Sequence, residues 1–196
     1  MPHKQVEGYP SVTEVLSVIR KPWLERWYGK YGNDKCEKIQ KTATNIGTKV
    51  HEEIQRRFEG KEFKTKNSNI KRMVNNFFEK FANEYNIKPL SMEPKEPLID
   101  KVNGYSGTYD AIIMGDDEEI MVADWKTSNQ LDKVTVPLQL AAYANLIGSV
   151  NYGIAIRIDK KKDVVDIETY PHLQRFFFHF LSCLDLYNYM KGMEHV

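Results

Sequence analysis

The spacing of apolar residues changes near the middle of the chain. In the first half the apolar positions recur with the period of an α-helix, and they predict helices at residues 35–58 and 69–85. From Pro89 onward, short apolar runs that alternate with polar residues predict strands. The pattern therefore indicates an α/β protein whose helices come mostly before its sheet.

Turn signals divide the second half into strands. Residues 96–102, 105–114 and 119–125 predict three consecutive strands. Asn103-Gly104 is a strong hairpin signal between the first two, and Gly115-Asp116-Asp117 joins the next pair in the same way. We therefore expect an antiparallel meander.

Two further strands and two helices complete the pattern. Residues 136–148 predict a helix that ends at a glycine, and a last helix from Pro171 should cover one face of the sheet. Strands are predicted at 151–158 and 164–170, on either side of the charged turn Asp159-Lys160-Lys161-Lys162-Asp163.

The N-terminal segment carries a capping signal and an aromatic stripe. Ser11 caps the first helix, and Glu14 three residues later completes a capping box. An apolar stripe at helical spacing then follows, formed by Trp23, Leu24, Trp27 and Tyr28. Such a stripe is typical of a packed core, and a platform for stacking nucleic-acid bases is the alternative.

The composition fits one substantial hydrophobic core. The 196 residues are 41% hydrophobic and 12% aromatic. We expect a single domain over residues 1–196, with a helical part at about 10–88 and a sheet core with flanking helices at about 89–192. The formal net charge is only +1, so a nucleic-acid partner would require a local cationic surface.

The sequence shows neither a membrane span nor a targeting signal. It has no apolar run long enough to cross a bilayer, and residues 1–10 lack the apolar core of a signal peptide. Cys36 and Cys183 are far apart and no Cys-x-x-Cys occurs, which favours two reduced thiols over an iron–sulfur or zinc site. We expect an intracellular, cytoplasmic protein of a bacterium or a phage-infected host. A mitochondrial location would require a targeting segment that precedes this sequence.

Two acids and a lysine are predicted to meet at one edge of the sheet. Asp124 and Lys126 follow an apolar run, and alternation along a strand puts both on one face and Trp125 on the other. Asp110 comes from the neighbouring strand. Carboxylates on adjacent strands suit a hard divalent cation, although an Asp and a Lys two residues apart also occur commonly as an exposed charge pair.

His51 is a candidate nitrogen ligand. It lies on the helix predicted at 35–58, about one turn after Gly47. A lone histidine on such a helix is more often structural than a ligand. Beside Asp110 and Asp124, however, an imidazole would suit Mn²⁺ better than a site made of oxygens alone, so in this company we favour a metal ligand.

Five short motifs occur in order on the predicted elements. They are Pro10-Ser11-Val12-Thr13, the Gly47-Thr48-Lys49-Val50-His51-Glu52 helix, Gly107-Thr108-Tyr109-Asp110, Asp124-Trp125-Lys126-Thr127-Ser128 and Gln139-Leu140-Ala141-Ala142-Tyr143. Together they resemble the RecB-like branch of the PD-(D/E)xK nuclease superfamily, and more narrowly the mitochondrial genome maintenance exonucleases and their phage-encoded relatives. The chain lacks the cluster-binding cysteines of Cas4-like and AddB-like members and has no helicase motif, so the resemblance is to a free-standing nuclease.

The resemblance implies a fold and a chemistry. The implied fold is a restriction-endonuclease-like core, with a mixed central sheet that contains the meander, flanking helices and an N-terminal helical wall. The implied ligands of Mg²⁺ or Mn²⁺ are His51, Asp110, Asp124 and the backbone carbonyl of Trp125. Lys126 would orient the attacking water and stabilise charge on the phosphate, and Gln139 would bond to the site. Glu96 is the further catalytic acid, and Glu93 competes with it for that role.

The resemblance also implies DNA as the partner. From their positions in the sequence alone, we expect nucleic-acid contacts at Ser11, Lys41, Lys49, Lys64, Lys66, Lys71, Arg72, Thr127 and Tyr143. The alternatives are a solvated loop for the basic stretch at 60–72 and support of Lys126 for Tyr143. We expect a monomeric, metal-dependent DNA exonuclease that acts on single-stranded DNA or on single-stranded ends and flaps, and no membrane partner. The alternatives are a structure-specific endonuclease of the same superfamily and a catalytically silent DNA-binding module that assists recombination.

Overall fold

The computed structural model describes residues 6–115, 118–148 and 150–193. Its α-helices are α1 (Val12–Val15), α2 (Pro22–Tyr31), α3 (Asn33–Phe58), α4 (Ser68–Phe77), α5 (Thr135–Ile147) and α6 (Gln174–Met193). Its strands are β1 (Lys88–Met92), β2 (Leu98–Asp100), β3 (Tyr105–Gly107), β4 (Ala111–Met114), β5 (Ile120–Lys126), β6 (Tyr152–Ile158) and β7 (Val165–Pro171). A 3₁₀ turn at Leu16–Val18 follows α1, and a π-helical turn at Phe78–Ala82 follows α4. In this part of the chain no helix is both long enough and apolar enough to cross a membrane.

A mixed sheet of five strands forms the centre of the fold. Its order is β1-β4-β5-β6-β7, while β2 and β3 pair with each other in a separate ribbon. β5 is antiparallel to β4 and parallel to β6. The parallel pair needs a crossover connection, and α5 supplies it. The predicted mixed sheet with flanking helices is confirmed.

Helices cover both faces of this sheet. On one face α3 and α4 pack over a cluster that includes Phe77 and Trp125, whose ring centroids are 4.9 Å apart. On the other face α5 and α6 pack over Val122 and Ala155. Because successive residues of β5 point to opposite faces, Asp124 and Lys126 share the second face with Val122.

Two helix boundaries follow the sequence signals. The side-chain oxygen of Ser11 accepts the N–H of Glu14 at 3.2 Å, and the Glu14 carboxylate accepts the N–H of Ser11 at 2.8 Å. Gly148 ends α5 with a φ of 89°, in the left-handed region that glycine adopts at low cost. The capping box and the helix stop are both confirmed.

The predicted three-stranded meander is wrong. Residues 105–114 do not form one strand, because β3 ends at Gly107 and β4 begins only at Ala111. Gly107 packs closely against α5, and a Cβ there would lie 2.9 Å from Tyr143 Cε1. The β2–β3 ribbon leaves the main sheet here, and its place beside β4 is taken by β1, a strand that the pattern did not predict.

The second predicted hairpin is confirmed as a pair of strands. β4 and β5 are antiparallel, and Ala111 pairs with Ala123. Asp116 and Asp117, which were predicted to form the turn between them, lie outside the described residues. The register places the residue just before Ala111 opposite the residue just after Ala123, at one end of the two strands.

The predicted aromatic core stripe on α2 is also wrong. None of the residues of α2 is buried, and Trp23 is 53% exposed. The first half of α3 is similarly open at Ile39, whereas Val50 and Ile54 in its second half are fully buried. The reason is position, since α2 packs mainly on α3 rather than on the sheet.

Candidate active site

Asp124 and Lys126 lie at the carboxyl end of β5, beneath α5. Asp124 is 3% exposed, and Lys126 is half-buried. The Lys126 ammonium donates to Asp124 Oδ1 at 2.9 Å and to Gln139 Oε1 at 3.0 Å. Gln139 Nε2 in turn donates to the hydroxyl of Tyr143 at 2.8 Å. This chain of bonds fixes the ammonium between a carboxylate and an amide oxygen.

Asp110 and His51 complete the centre of the site. The pairing of the alanines that follow Asp110 and precede Asp124 puts the two acids on neighbouring strands, as predicted. Asp110 Oδ2 accepts the backbone N–H of Trp125 at 2.6 Å. Its Oδ1 lies 3.1 Å from His51 Nδ1, which α3 carries to the end of the strands. The structure therefore puts the predicted imidazole in contact with one predicted carboxylate, and the other carboxylate on the adjacent strand.

Burial and neighbouring charges push the two carboxyl groups in opposite directions. Burial acts to raise the pKa of Asp110, but His51, the charge of Lys126 and the Trp125 N–H together hold that pKa below its ordinary value. Burial also raises the pKa of Asp124, and here the attraction of Lys126 does not compensate, so its pKa stays above the ordinary value. The pKa of His51 is lowered by burial but raised more strongly by Asp110, with a net increase. A bound cation would favour the charged form of Asp124.

The donor set suits a hard divalent cation. Asp124 Oδ2 is buried and has no hydrogen-bond partner in the described part of the chain. Lys126 Nζ lies 2.7 Å from this oxygen as an ion pair, while its hydrogen bond goes to Oδ1. Buried carboxylate oxygens normally accept hydrogen bonds, and a role as a metal ligand would complete the contacts of Oδ2.

Two of the candidate ligands bond to each other. Across residues 6–115, 118–148 and 150–193 no three His, Cys, Asp or Glu side chains converge in a metal-binding group. His51 and Asp110 bond to each other instead. Metal binding would therefore compete with that bond, while the predicted carbonyl ligand of Trp125 comes from the strand itself.

Glu93 lies closer to the site than Glu96. Met92, at the end of β1, pairs with the residue after Asp110. Continuing this antiparallel register by one residue puts Glu93 opposite Asp110. The negative charge of Glu93 also reaches Tyr143, whose pKa is raised chiefly by burial. Glu96 is exposed in the connection between β1 and β2. The placement favours Glu93 as the further acid.

α3 approaches the end of β5 closely at Gly47. A Cβ on Gly47 would lie 3.2 Å from Thr127 Oγ1, and Thr127 is the buried residue that follows Lys126. One turn later the same helix carries His51. The missing side chain at Gly47 therefore lets α3 lie close enough for His51 to contact Asp110.

Three of the predicted nucleic-acid contacts are already engaged within the protein. Ser11 uses its side chain to cap α1. Thr127 and Tyr143 are buried, and the Tyr143 hydroxyl is bonded to Gln139. Tyr143 is thus placed to support the Gln139–Lys126 pair rather than to face solvent.

The predicted cationic contacts divide into exposed and engaged side chains. Lys41, Lys49, Lys64 and Lys66 are exposed on α3 and on the loop that follows it. The Lys71 ammonium lies over the ring of Phe63, 5.6 Å from its centroid. Arg72 donates to Asp163 at 2.7 Å and to Asn69 at 2.9 Å, so its guanidinium is largely occupied.

The patterns in the sequence did not predict the role of Glu53. This residue of α3 is 4% exposed, and its carboxylate accepts the backbone N–H groups of Lys64 at 3.1 Å and Thr65 at 2.6 Å. It therefore fixes the basic loop against α3. The available signal was its place one residue before Ile54 on an apolar stripe, where an acid is unexpected.

Comparisons with known proteins agree with this geometry. The family model described as the PD-(D/E)XK nuclease superfamily matches residues 22–169, which include the whole site from His51 to Tyr143. A search of curated proteins found no match.

Solved structures share the fold at low sequence identity. One, titled as the crystal structure of SSO0001, is 17% identical with a TM-score of 0.50, and the alignment covers 96% of this chain and 79% of that one. LHK-Exo in complex with dAMP is 10% identical with a TM-score of 0.52, covering 95% and 89%. A further LHK-Exo structure, described as an alkaline exonuclease from Laribacter hongkongensis, is 12% identical with a TM-score of 0.45, covering 96% and 94%.

The family match and the site geometry lead to one assignment. The matched residues span well over half of the chain and contain both carboxylates, the lysine and the histidine of the site. The fold is the mixed sheet with flanking helices that the sequence predicted. The chain belongs to the PD-(D/E)XK nuclease superfamily.

Proposed function

We propose that this nuclease hydrolyses phosphodiester bonds of DNA with a divalent cation, Mg²⁺ or Mn²⁺. Nucleases of this superfamily generally use divalent metals. The observation that carries the proposal is the Lys126 ammonium, held between Asp124 and Gln139 beside the Asp110–His51 pair. This arrangement combines oxygen and nitrogen donors with a fixed positive charge at one sheet edge.

Each residue of the site has a distinct proposed role. The proposed metal ligands are His51, Asp110, Asp124 and the carbonyl of Trp125. A divalent cation lowers the pKa of a bound water and neutralises charge on the phosphate. Lys126 orients the attacking water and stabilises the charge that develops on the phosphate oxygens. Gln139 holds the Lys126 ammonium in place, and Glu93 is the further acid in preference to Glu96.

Single strands and single-stranded ends are the proposed substrates. The exposed Trp23 and the half-buried Trp27 and Tyr28 give α2 an aromatic surface on which bases can stack. Lys41 and Lys49 are exposed on α3, the helix that also carries the site histidine. The exonuclease choice is supported by the description of LHK-Exo as an exonuclease crystallised with a nucleotide. The narrower RecB-like assignment rests on the order of the motifs.

Digestion of end-labelled linear strands and covalently closed single-stranded circles tests the proposal. Each substrate is incubated with Mg²⁺, with Mn²⁺ or with a chelator. We expect linear strands to be degraded with a metal only, while circles stay intact. Nicking of circles as fast as linear strands would favour the structure-specific endonuclease. Tight DNA binding with no cleavage would favour the silent accessory module.

Substitution of Lys126 tests the mechanism. Lys126→Ala should lower kcat by about 10²–10³-fold, as the loss of one charge-stabilising donor does, while Mn²⁺ and DNA still bind. Lys101→Ala, at an exposed lysine between β2 and β3, is the control and should keep full activity. Asp124→Ala should in addition weaken Mn²⁺ binding measured by calorimetry without DNA. Normal turnover of Lys126→Ala would contradict the assigned role.

A further inference from the structure

The charged turn between β6 and β7 lies at the same sheet edge as the candidate site. We call residues 159–163 the lysine turn. β6 is parallel to β5, and Arg157 of β6 pairs with Lys126. With about 4.8 Å between strands and about 3.3 Å per residue along them, the backbone of Asp159 lies about 8 Å from that of Lys126. A nucleic-acid strand that occupies the site would therefore pass close to this turn.

The first acid of the lysine turn is neutralised within the protein. Asp159 accepts the backbone N–H groups of Lys161 at 2.8 Å and Lys162 at 2.9 Å. Its other oxygen pairs with Arg157 Nη1 at 2.9 Å. These backbone bonds, with Arg157, hold the pKa of Asp159 well below its ordinary value, so Asp159 stays ionised and paired.

α4 and the π-helical turn after it clamp the other end of the lysine turn. Arg72 donates to Asp163 Oδ1 and to the backbone carbonyl of Lys160, each at 2.7 Å. Asn76 donates to the same Asp163 oxygen at 3.0 Å. The Lys80 ammonium donates to the backbone carbonyl of Asp163. The backbone of the turn is thus held from both sides.

The lysine turn keeps a surplus of positive charge. Asp163 pairs with Arg72, and Asp159 shares Arg157 with Asp166. The Lys80 ammonium adds a positive charge beside Asp163. In the parts of the chain that the structure describes, no carboxylate forms an ion pair with Lys160, Lys161 or Lys162. Lys161 and Lys162 are exposed and Lys160 is half-buried. A fixed turn with adjacent lysines is a local cationic surface on a protein whose net charge is only +1.

We propose that the lysine turn binds the phosphate backbone of the nucleic-acid strand that occupies the site. Arg72 acts as a positioning residue for this turn, through its bonds to Asp163 and Lys160, rather than as a phosphate contact of its own. The inference rests on the proposed nuclease function. It extends the phosphate-binding surface to the carboxyl end of β6, on the side of the site opposite β4.

The test is the salt dependence of DNA binding. Lys161 and Lys162 are exposed and bond to the turn through their backbone only, so Lys161→Gln/Lys162→Gln should fold normally. Binding of a labelled oligothymidylate is measured by fluorescence anisotropy in a chelator, which prevents cleavage. Two lost phosphate contacts should reduce the slope of the logarithm of the association constant against the logarithm of the salt concentration by about 1.4. They should also weaken binding at 0.1 M salt by about 25-fold.

A charge-matched variant provides the control. Lys88→Gln/Lys101→Gln removes two exposed lysines, and Lys88 begins β1 at the end of the sheet away from Asp110. This variant should keep the wild-type slope. An equal loss in both double variants would overturn the proposal, because it would reflect net charge alone.

A double-mutant cycle tests the positioning role of Arg72. Arg72→Ala should weaken binding in the wild type but cause no further loss in the Lys161→Gln/Lys162→Gln background. Additive losses would show that Arg72 contacts phosphate itself and would overturn the positioning role. Arg72→Lys, which keeps the charge but loses the two-pronged bond to the turn, serves if Arg72→Ala does not fold.

The results separate this inference from the nuclease proposal. If the wild type cleaves DNA but Lys161→Gln/Lys162→Gln keeps the wild-type salt slope of binding, the lysine turn has no phosphate role while the nuclease proposal stands. If the predicted change in slope is seen but no metal supports cleavage, the nuclease proposal falls and the phosphate site stands. Absence of DNA binding by the wild type would overturn both.

Discussion

Replacement of Gly47 by alanine should lower activity without lowering stability. The new Cβ would lie 3.2 Å from Thr127 Oγ1, which is tighter than nearly all real contacts, so α3 must move by about 0.3 Å to reach ordinary contact. A misplacement of 1 Å near the chemistry can cost about 10²-fold, so a shift of about 0.3 Å in the helix that carries His51 corresponds to about a fourfold loss of kcat/KM. Alanine is favoured over glycine inside a helix by about 0.5–1 kcal/mol, which offsets the strain of the contact.

Steady-state cleavage of a single-stranded oligonucleotide and unfolding in urea measure the two effects. Gly192→Ala in α6 is the matched control, because no atom lies within 4 Å of the new Cβ, and its activity should not change. Thr127→Ala removes the hydroxyl that the new Cβ of Gly47→Ala would meet. Gly47→Ala should therefore cause no loss of kcat/KM when it is added to Thr127→Ala. A full fourfold loss of kcat/KM in that double variant would refute the proposed contact.

Three further substitutions test other parts of the structure. Glu93→Gln should lower kcat by about tenfold or more, whereas Glu96→Gln should leave kcat nearly unchanged. Equal losses for the two variants in pre-steady-state cleavage assays would contradict the placement of Glu93 opposite Asp110. Glu53→Gln should lower the free energy of unfolding in urea by about 1–3 kcal/mol, because one of the two N–H groups bonded to this buried side chain loses its acceptor. Glu52→Gln on the exposed side should stay within about 0.5 kcal/mol. Trp23→Ala should weaken binding of single strands by about 1–3 kcal/mol with an unchanged melting temperature, and an unchanged Kd would show that the α2 surface does not stack bases.

Local patterns were sufficient for the centre of the site. Asp124, Trp125 and Lys126 could be assigned to opposite faces because strand alternation depends only on the backbone. Gln139 and Tyr143 could be placed side by side because four residues make about one helical turn. In each case the relevant geometry repeats within a few residues, so the sequence contains the information.

Pairing between distant segments was harder to predict. The β2–β3 hairpin has a strong turn signal, and that signal is correct, but it gives no information on which sheet the hairpin joins. The main sheet takes β1 instead, and this is what brings Glu93 opposite Asp110 and leaves Glu96 exposed. The outcome depends on competition for one edge of β4, which no local pattern records.

Burial was the second source of error, because periodicity does not show what lies beneath a helix. The aromatic stripe that includes Trp23 has the spacing of a core face, yet α2 lies on α3 beyond the edge of the sheet. A contiguous exposed apolar patch can mark a binding surface. The exposure that rules out the core prediction leaves Trp23 accessible for the alternative, in which the stripe stacks bases.

The basic residues show the same principle for charge. Arg72 belongs by sequence to the basic stretch that begins near Lys61, and by composition it resembles a phosphate contact as much as Lys64 does. Its partner Asp163 is 91 residues away along the chain, and the bond between them removes Arg72 from the set of available cations. It also balances one of the two acids of the lysine turn and so leaves the positive charge on residues 160–162. Which cations can meet DNA is thus decided by tertiary ion pairs, and a residue can contribute to a phosphate site by neutralising an acid elsewhere.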